Sequence, residues 1–149
     1  LHYFLFDNNI DGLVMTSCNV SGEPMVYKNE EAINMYNSVV DYFLINDREI
    51  HISIDDSVVM VVDNEEYLLR PGIGYRPLYT ELEGKHQIVA LGSEAKNTLA
   101  FSNNKNVILS EYIGDLKELK TFEKFKCTLN HFLKIYNINI DILVKDKHP

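Results

Sequence analysis

Between Ile88 and Val144 the chain changes its hydrophobic period twice, and that change limits the folds open to it. Ile88-Val89-Ala90-Leu91 is an apolar run of strand length. Asn97 to Ser102 and Val107 to Ser110 flank the polar Asn103-Asn104-Lys105-Asn106, which reads as a hairpin. Phe122, Phe125, Leu129, Phe132, Leu133 and Tyr136 then recur at helical spacing and form one apolar stripe. Asp115 and Glu118 are spaced as a capping box ahead of that helix. Ile140 to Val144 returns to strand.

The order strand, hairpin, helix, strand predicts a mixed α/β (α+β) lobe over residues 88–149. It is the β-β-β-α-β opening of an actin-like or ribonuclease-H-like lobe. Residues 1–80 read as a separate twisted-sheet lobe. Leu13-Val14-Met15 is a short strand candidate, and Asp41-Tyr42-Phe43-Leu44-Ile45 a buried one. Asn29 is placed to cap a helix whose first turn holds Glu30 and Glu31 and whose apolar residues include Ala32, Ile33 and Tyr36. Ser57 to Val62 and Glu66 to Arg70 flank Asp63-Asn64-Glu65 as a hairpin. Pro71-Gly72 and Gly74 then break the pattern. Residues 78–87 carry few apolar anchors, which predicts a linker, with its core at 81–87.

The chain has 149 residues and a net charge of -8. That balance, with no basic run, opposes non-specific nucleic-acid binding, because phosphate neutralisation needs clustered Lys and Arg. No apolar run reaches the ~18 residues of a membrane span, and no signal peptide is evident. The cysteines, Cys18 and Cys127, form no CxxC pair and no metal-ligand spacing. Such sparse usage fits a cytoplasmic, reducing setting. Cys127 reads as a buried helix thiol and Cys18 as a small filler in its turn. The chain begins at Leu1 and stops at Pro149, which reads as a cut from something longer.

The chemistry is concentrated in the turn Thr16-Ser17-Cys18-Asn19-Val20-Ser21-Gly22. A strand emptying into small hydroxyls, an amide and a glycine offers donors and backbone N–H groups to an anion. Asp55 and Asp56 are adjacent, so on a strand they point to opposite faces and make a poor chelate. Asp146 and His148 have near-ligand spacing, but two groups do not make a metal site. His51, His86 and His131 stand apart in the sequence and read as structural or solvent-facing.

Six segments in order carry a family resemblance. Thr16 to Gly22 resembles the "TSAN-x-SG" signature of YrdC-like domains. Asp55-Asp56-Ser57-Val58 resembles "DDSV", and Leu69-Arg70-Pro71-Gly72 resembles "LRPG" or "RRARGY". Ala90 to Thr98 is similar to "ALGxELKNT", Leu109 to Leu116 to "LSQHIGDL", and Asp146-Lys147-His148-Pro149 to "DxHP". The series resembles the HypF carbamoyltransferases of nickel–iron hydrogenase maturation. It spans the C-terminal part of the YrdC-like domain and the start of the carbamoyl-transfer domain.

The resemblance implies an ATP-dependent enzyme. It activates carbamoyl phosphate as carbamoyl adenylate and passes the carbamoyl group to the C-terminal cysteine of a partner, HypE. The cofactors implied are ATP and Mg2+, with zinc only in parts of a parent protein outside this chain. Ser17, Asn19 and Ser21 are then expected to meet phosphate oxygens, with Ser57 adding a hydroxyl and Arg70 a bidentate clamp. Lys96, Asn97 and Thr98 are expected at the nucleotide phosphates of the second lobe. No catalytic residue is assigned, and no metal ligand. The isolated stretch is expected to be inactive and, with an open sheet edge in each lobe, to self-associate.

Several positions depart from the pattern. Asn46-Asp47-Arg48-Glu49-Ile50 stands where the family has "H-N/D-R-P-I". Ile52, Ser53, Pro71 and Ile73 occupy arginine positions, and Tyr112 a histidine position. Two alternatives therefore stand beside the enzyme. One is a divergent, non-catalytic nucleotide- or partner-binding homologue. The other is a threonylcarbamoyl-adenylate synthase-like tRNA modification enzyme, against which the second-lobe segments argue.

Overall fold

A computed structural model describes residues 2–6, 10–75 and 78–148. Its elements are a 3-10 turn at His2–Leu5, α1 (Asn29–Tyr36), β1 (Val58–Val62), β2 (Glu65–Arg70), β3 (Leu78–Glu81), β4 (Gln87–Ala90), β5 (Ala100–Asn103), β6 (Asn106–Leu109), α2 (Leu119–Ile135) and β7 (Ile142–Val144). They form a mixed α/β fold with two sheets, one of two strands and one of five in the order β3-β6-β5-β4-β7. Among the described residues no helix is long and apolar enough to cross a membrane.

The core belongs to the second lobe. Val89, Leu99, Phe101, Ile108, Ile113, Phe125 and Ile138 are buried together, with Leu129, Phe132 and Leu133 of α2 packed against them. The helical stripe read from sequence is thus, from Phe125 onward, the face that α2 lays on the core, while Phe122 stays exposed. Phe101 and Phe132 stack at 5.0 Å across that joint. β7 returns after α2 to pair parallel with β4, Ile88 opposite Ile142. Pro149, the last residue of the segment likened to "DxHP", lies outside the described residues.

Both hairpins form. Val62 pairs with Glu65, so the first turn is the two residues Asp63 and Asn64, with φ of 52° and 65°. Positive φ at both positions matches the twist of the flanking strands, and Asp and Asn tolerate it best after glycine. In the second hairpin the Asn103 side chain accepts the N–H groups of Lys105 and Asn106, and Asn104 takes a φ of 74°.

Several expectations are corrected. Leu78–Glu81 is an edge strand of the second sheet, antiparallel to β6 from Leu78↔Leu109 to Glu81↔Asn106. The boundary read near residue 80 therefore falls inside an element. Alternating residues of β6 meet it through backbone bonds, which need no apolar side chains. Residues 13–15 and 41–45 are not strands, and Tyr42 and Leu44 are 92% and 91% exposed. An apolar run becomes a strand only beside another strand's N–H and C=O groups, and no described segment supplies them here. Asn29 opens α1 but does not cap it: its amide donates to the Asn46 carbonyl at 2.5 Å. The capping box is likewise absent. Glu118 makes no side-chain cap bond, and the Asp115 carboxylate accepts the Lys96 N–H at 2.7 Å instead. Cys127 is exposed, because Thr121, Phe125 and Thr128 take the buried positions of α2.

Candidate functional site

The turn after Met15 is held by its own amide. Ser17 Oγ donates to Asn19 Oδ1 at 2.5 Å. Asn19 Nδ2 donates to the carbonyls of Val20 and Glu23 at 3.0 and 3.1 Å. Both amide protons of Asn19 are therefore used inside the loop, and Gly22, with φ of 87°, closes it. Asn19 shapes the turn and Ser17 lies on its open side. Ser21 is exposed, away from the cleft described next.

The segment from Asp55 to Ser57 runs beside Gly72 and Ile73. Asp56 and Ile73 form a parallel bridge. The Ile73 N–H donates to Asp55 O at 3.1 Å. Ser57 Oγ accepts the Gly72 N–H at 2.8 Å and donates to Ile73 O at 2.9 Å. Ser57 is thus a structural bridge, and its one donor proton is engaged. A side chain on Gly72 would put its Cβ 2.1 Å from Asp55 O. Glycine is what lets the two segments touch.

These pieces converge with the second lobe. A cleft of about 670 Å3 is lined by the 15–25 turn, Ile54 to Asp56, Arg70, Ile73, Tyr112 to Asp115 and Thr121. Four of the six marked segments meet there. Ser17, Asn19 and Arg70 are the predicted site residues on its wall; Ser21, Ser57, Lys96, Asn97 and Thr98 are not. Arg70 Nε donates to Asp56 O at 3.3 Å, and its guanidinium lies 5.0 Å from the Tyr112 ring centre. A guanidinium held through Nε is the kind of group that clamps an anion with its remaining N–H groups.

The second-lobe triplet plays a different part. Asn97 is fully buried and donates to Leu91 O and Ser93 O at 2.8 and 2.5 Å. Its backbone pairs with Gly114. Lys96 takes a φ of 51° at the turn. Asn97 therefore ties the loop after β4 to the rim of the cleft. The glycines again allow the approach, since a Cβ on Gly92 would meet Thr98 O at 2.5 Å.

Charge in the cleft is unbalanced. Arg70 is the one Lys or Arg among the described lining residues, against Glu23, Asp55, Asp56 and Asp115. Two α2 lysines outside the cleft offset part of that. Lys120 Nζ meets Glu23 at 2.7 Å and Glu31 at 3.7 Å. Lys124 Nζ lies 3.6 Å from Asp55. The hydrogen bond to Glu23 holds the Lys120 ammonium above its ordinary 10.5. Sequence spacing gave no sign of these cross-lobe lysines, because they lie on the same helix as the core stripe. His51 and His131, distant in sequence, meet with ring centres 5.2 Å apart. Among the described residues no cluster of three His, Cys, Asp or Glu is placed to hold a metal ion.

Two family models match different parts of the chain. The family model described as HypF Kae1-like domain matches residues 83–149. The Sua5/YciO/YrdC model, described as telomere recombination, matches residues 1–72. The chain is 36% identical over its whole length to a probable carbamoyltransferase HypF of Methanocaldococcus jannaschii, of which it spans 20%. It is 32% identical to the carbamoyltransferase HypF of Synechocystis, again over its whole length and 20% of that protein. A crystal structure of full-length HypF in a phosphate- and nucleotide-bound form superposes with a TM-score of 0.83 at 34% identity, covering 89% of this chain and 21% of the other. A crystal structure of T. kodakarensis HypF gives 0.82 at 36% identity, covering 91% of this chain and 18% of the other. The chain thus spans about one fifth of the length of the relatives it matches.

Proposed function

The chain belongs to the HypF carbamoyltransferase family, and from that premise we propose that its cleft holds the phosphates of an adenylate during ATP-dependent carbamoyl activation. The observation that carries the reading is convergence. Four segments far apart in sequence meet around one 670 Å3 cleft with a single guanidinium on its wall.

In the chemistry proposed, carbamoyl phosphate loses its phosphate to water and leaves carbamate. A carbamate oxygen attacks the α-phosphorus of ATP, and the bond to pyrophosphate breaks. A partner thiol, the C-terminal cysteine of HypE, then attacks the carbamoyl carbon and AMP leaves. Arg70 suits the developing charge on the phosphate oxygens. Backbone N–H groups of the turn add neutral donors, and the Ser17 hydroxyl joins them when its proton turns from Asn19 Oδ1 to the ligand. With four carboxylates on the wall, bare ATP would be repelled. Asp56 and Asp115 are hard oxygen donors of the kind Mg2+ prefers, so the nucleotide is expected as its Mg2+ complex. A labile carbamoyl adenylate requires shielding from water.

Titration calorimetry with Mg-ATP tests the reading. Arg70→Ala is expected to weaken binding by about tenfold or more, as loss of a charge-assisted contact does. Lys105→Ala, in the far hairpin, should leave it unchanged. Equal affinity for wild type and Arg70→Ala would remove the cleft from the account. The acid excess also favours one second reading, a homologue that holds nucleotide without turnover. Binding without pyrophosphate exchange would select it.

A further inference from the structure

Arg70 owes its direction to two contacts, one from each lobe. Its Nε donates to the Asp56 carbonyl at 3.3 Å. Its guanidinium lies over the Tyr112 ring, 5.0 Å from the centre. One further side chain grips the protein beside both. Lys124 Nζ donates to the Tyr112 carbonyl at 3.2 Å and lies 3.6 Å from the carboxylate of Asp55, the neighbour of Asp56. The Lys124 side chain is only 13% exposed, so its ammonium has few water partners. It stands on α2 next to buried Phe125 and one turn from buried Thr121 and Thr128, on a helix packed against the core. A side chain rooted there has a fixed base from which to hold others.

We propose that Lys124 is a positioning residue for the cleft. Its ammonium joins the Asp55-Asp56 segment of the first lobe to Tyr112 of the second, and so fixes the two surfaces between which the Arg70 guanidinium is aimed at a phosphate-bearing ligand. The ligand half of the proposal rests on the reading above; the positioning half does not. Lys124 also pairs an acid that would otherwise face the cleft as an unbalanced charge. Its loss therefore acts on an incoming anion twice, through a misaimed Arg70 and through exposed Asp55. Tyr112 takes part through its ring, a contact that an imidazole at this position would make less well.

The direct test is the Arg70 Nε–Hε signal in an NMR spectrum of the full 149-residue chain, assigned by its absence in Arg70→Lys. The Tyr112 ring current displaces this signal in the wild type, and Tyr112→Leu returns it toward the value of a free arginine. Lys124→Met keeps the aliphatic stem and is expected to move the signal the same way, with Lys124→Arg restoring most of the displacement. Affinity for Mg-pyrophosphate should fall about fivefold in Lys124→Met, the equivalent of one cation–π contact. Adding Arg70→Ala to Lys124→Met should cost less than Arg70→Ala does alone, because the two act as one unit. An Arg70 signal unmoved in folded Lys124→Met overturns the proposal. Should Lys124→Met lose its far-UV dichroism, Asp55→Asn decides in its place: a displaced signal supports the proposal and an unmoved one overturns it. A signal that moves in a chain that never binds pyrophosphate would sink the phosphate reading and leave the positioning role standing.

Discussion

Replacing Gly72 by alanine tests whether the cleft wall depends on backbone contact. The added Cβ would lie 2.1 Å from Asp55 O and 3.0 Å from the Asp56 carbonyl carbon. Ordinary contact begins near ~3.5 Å, so the two segments must part by more than ~1 Å. That parting breaks three bonds: Ile73 N–H to Asp55 O, Gly72 N–H to Ser57 Oγ, and Ser57 Oγ to Ile73 O. At roughly 1 kcal/mol each, less some recovery from water at this half-exposed edge, the loss is about 2–3 kcal/mol. Hydrogen exchange of the Ile73 amide reads it directly, and protection should drop about 30- to 150-fold. Ser57→Ala removes two of the three bonds without the clash and should cost about two thirds as much. Ile73 protection within threefold of wild type in Gly72→Ala would refute the steric argument. Equal effects from the two variants would show that the hydroxyl, not the missing Cβ, matters.

Leu99 is fully buried between the five-stranded sheet and its surroundings, so Leu99→Ala should cost about 2–5 kcal/mol in urea denaturation. Buried Glu111 accepts one side-chain hydrogen bond, from Thr128 Oγ1 at 2.7 Å. Thr128→Val should therefore destabilise by about 1–3 kcal/mol, and Thr128→Ser by less. Lys120 has its pKa raised above 10.5 by its hydrogen bond to Glu23. The stabilisation from that rise is complete below 10.5 and is lost as pH climbs through the raised value. Melting temperature should thus fall more steeply above pH 10.5 in wild type than in Lys120→Met.

The second lobe was legible because its signals are local. A helical stripe and a polar break need only their own neighbours, and both α2 and the β5–β6 hairpin form there, with Asn103 and Asn106 drawn into the strands and a two-residue turn between them. The first lobe was less so. Leu13 to Met15 and Asp41 to Ile45 have the composition of strands, yet backbone pairing is decided by partners that composition does not name. β3 shows the reverse: Leu78–Glu81 looks like linker and becomes strand because β6 offers it a register. At the cleft, the turn at Ser17 and the Arg70 segment could be marked from residue type. The structural duties of Asn19, Ser57 and Asn97 could not, since an amide or hydroxyl reads the same whether it faces a phosphate or a carbonyl. The lysines that pair Glu23 and Asp55 carry no signal of their own, since lysines on the polar side of an amphipathic helix are ordinarily solvated.

The most direct test of the adenylate site is carbamoyl-phosphate-dependent ATP–pyrophosphate exchange by the protein that carries this chain. Exchange that is present in wild type and falls at least tenfold in Arg70→Ala, with a smaller fall in Ser17→Ala, is the result predicted here. Exchange untouched by both substitutions would contradict the account and move the adenylate elsewhere.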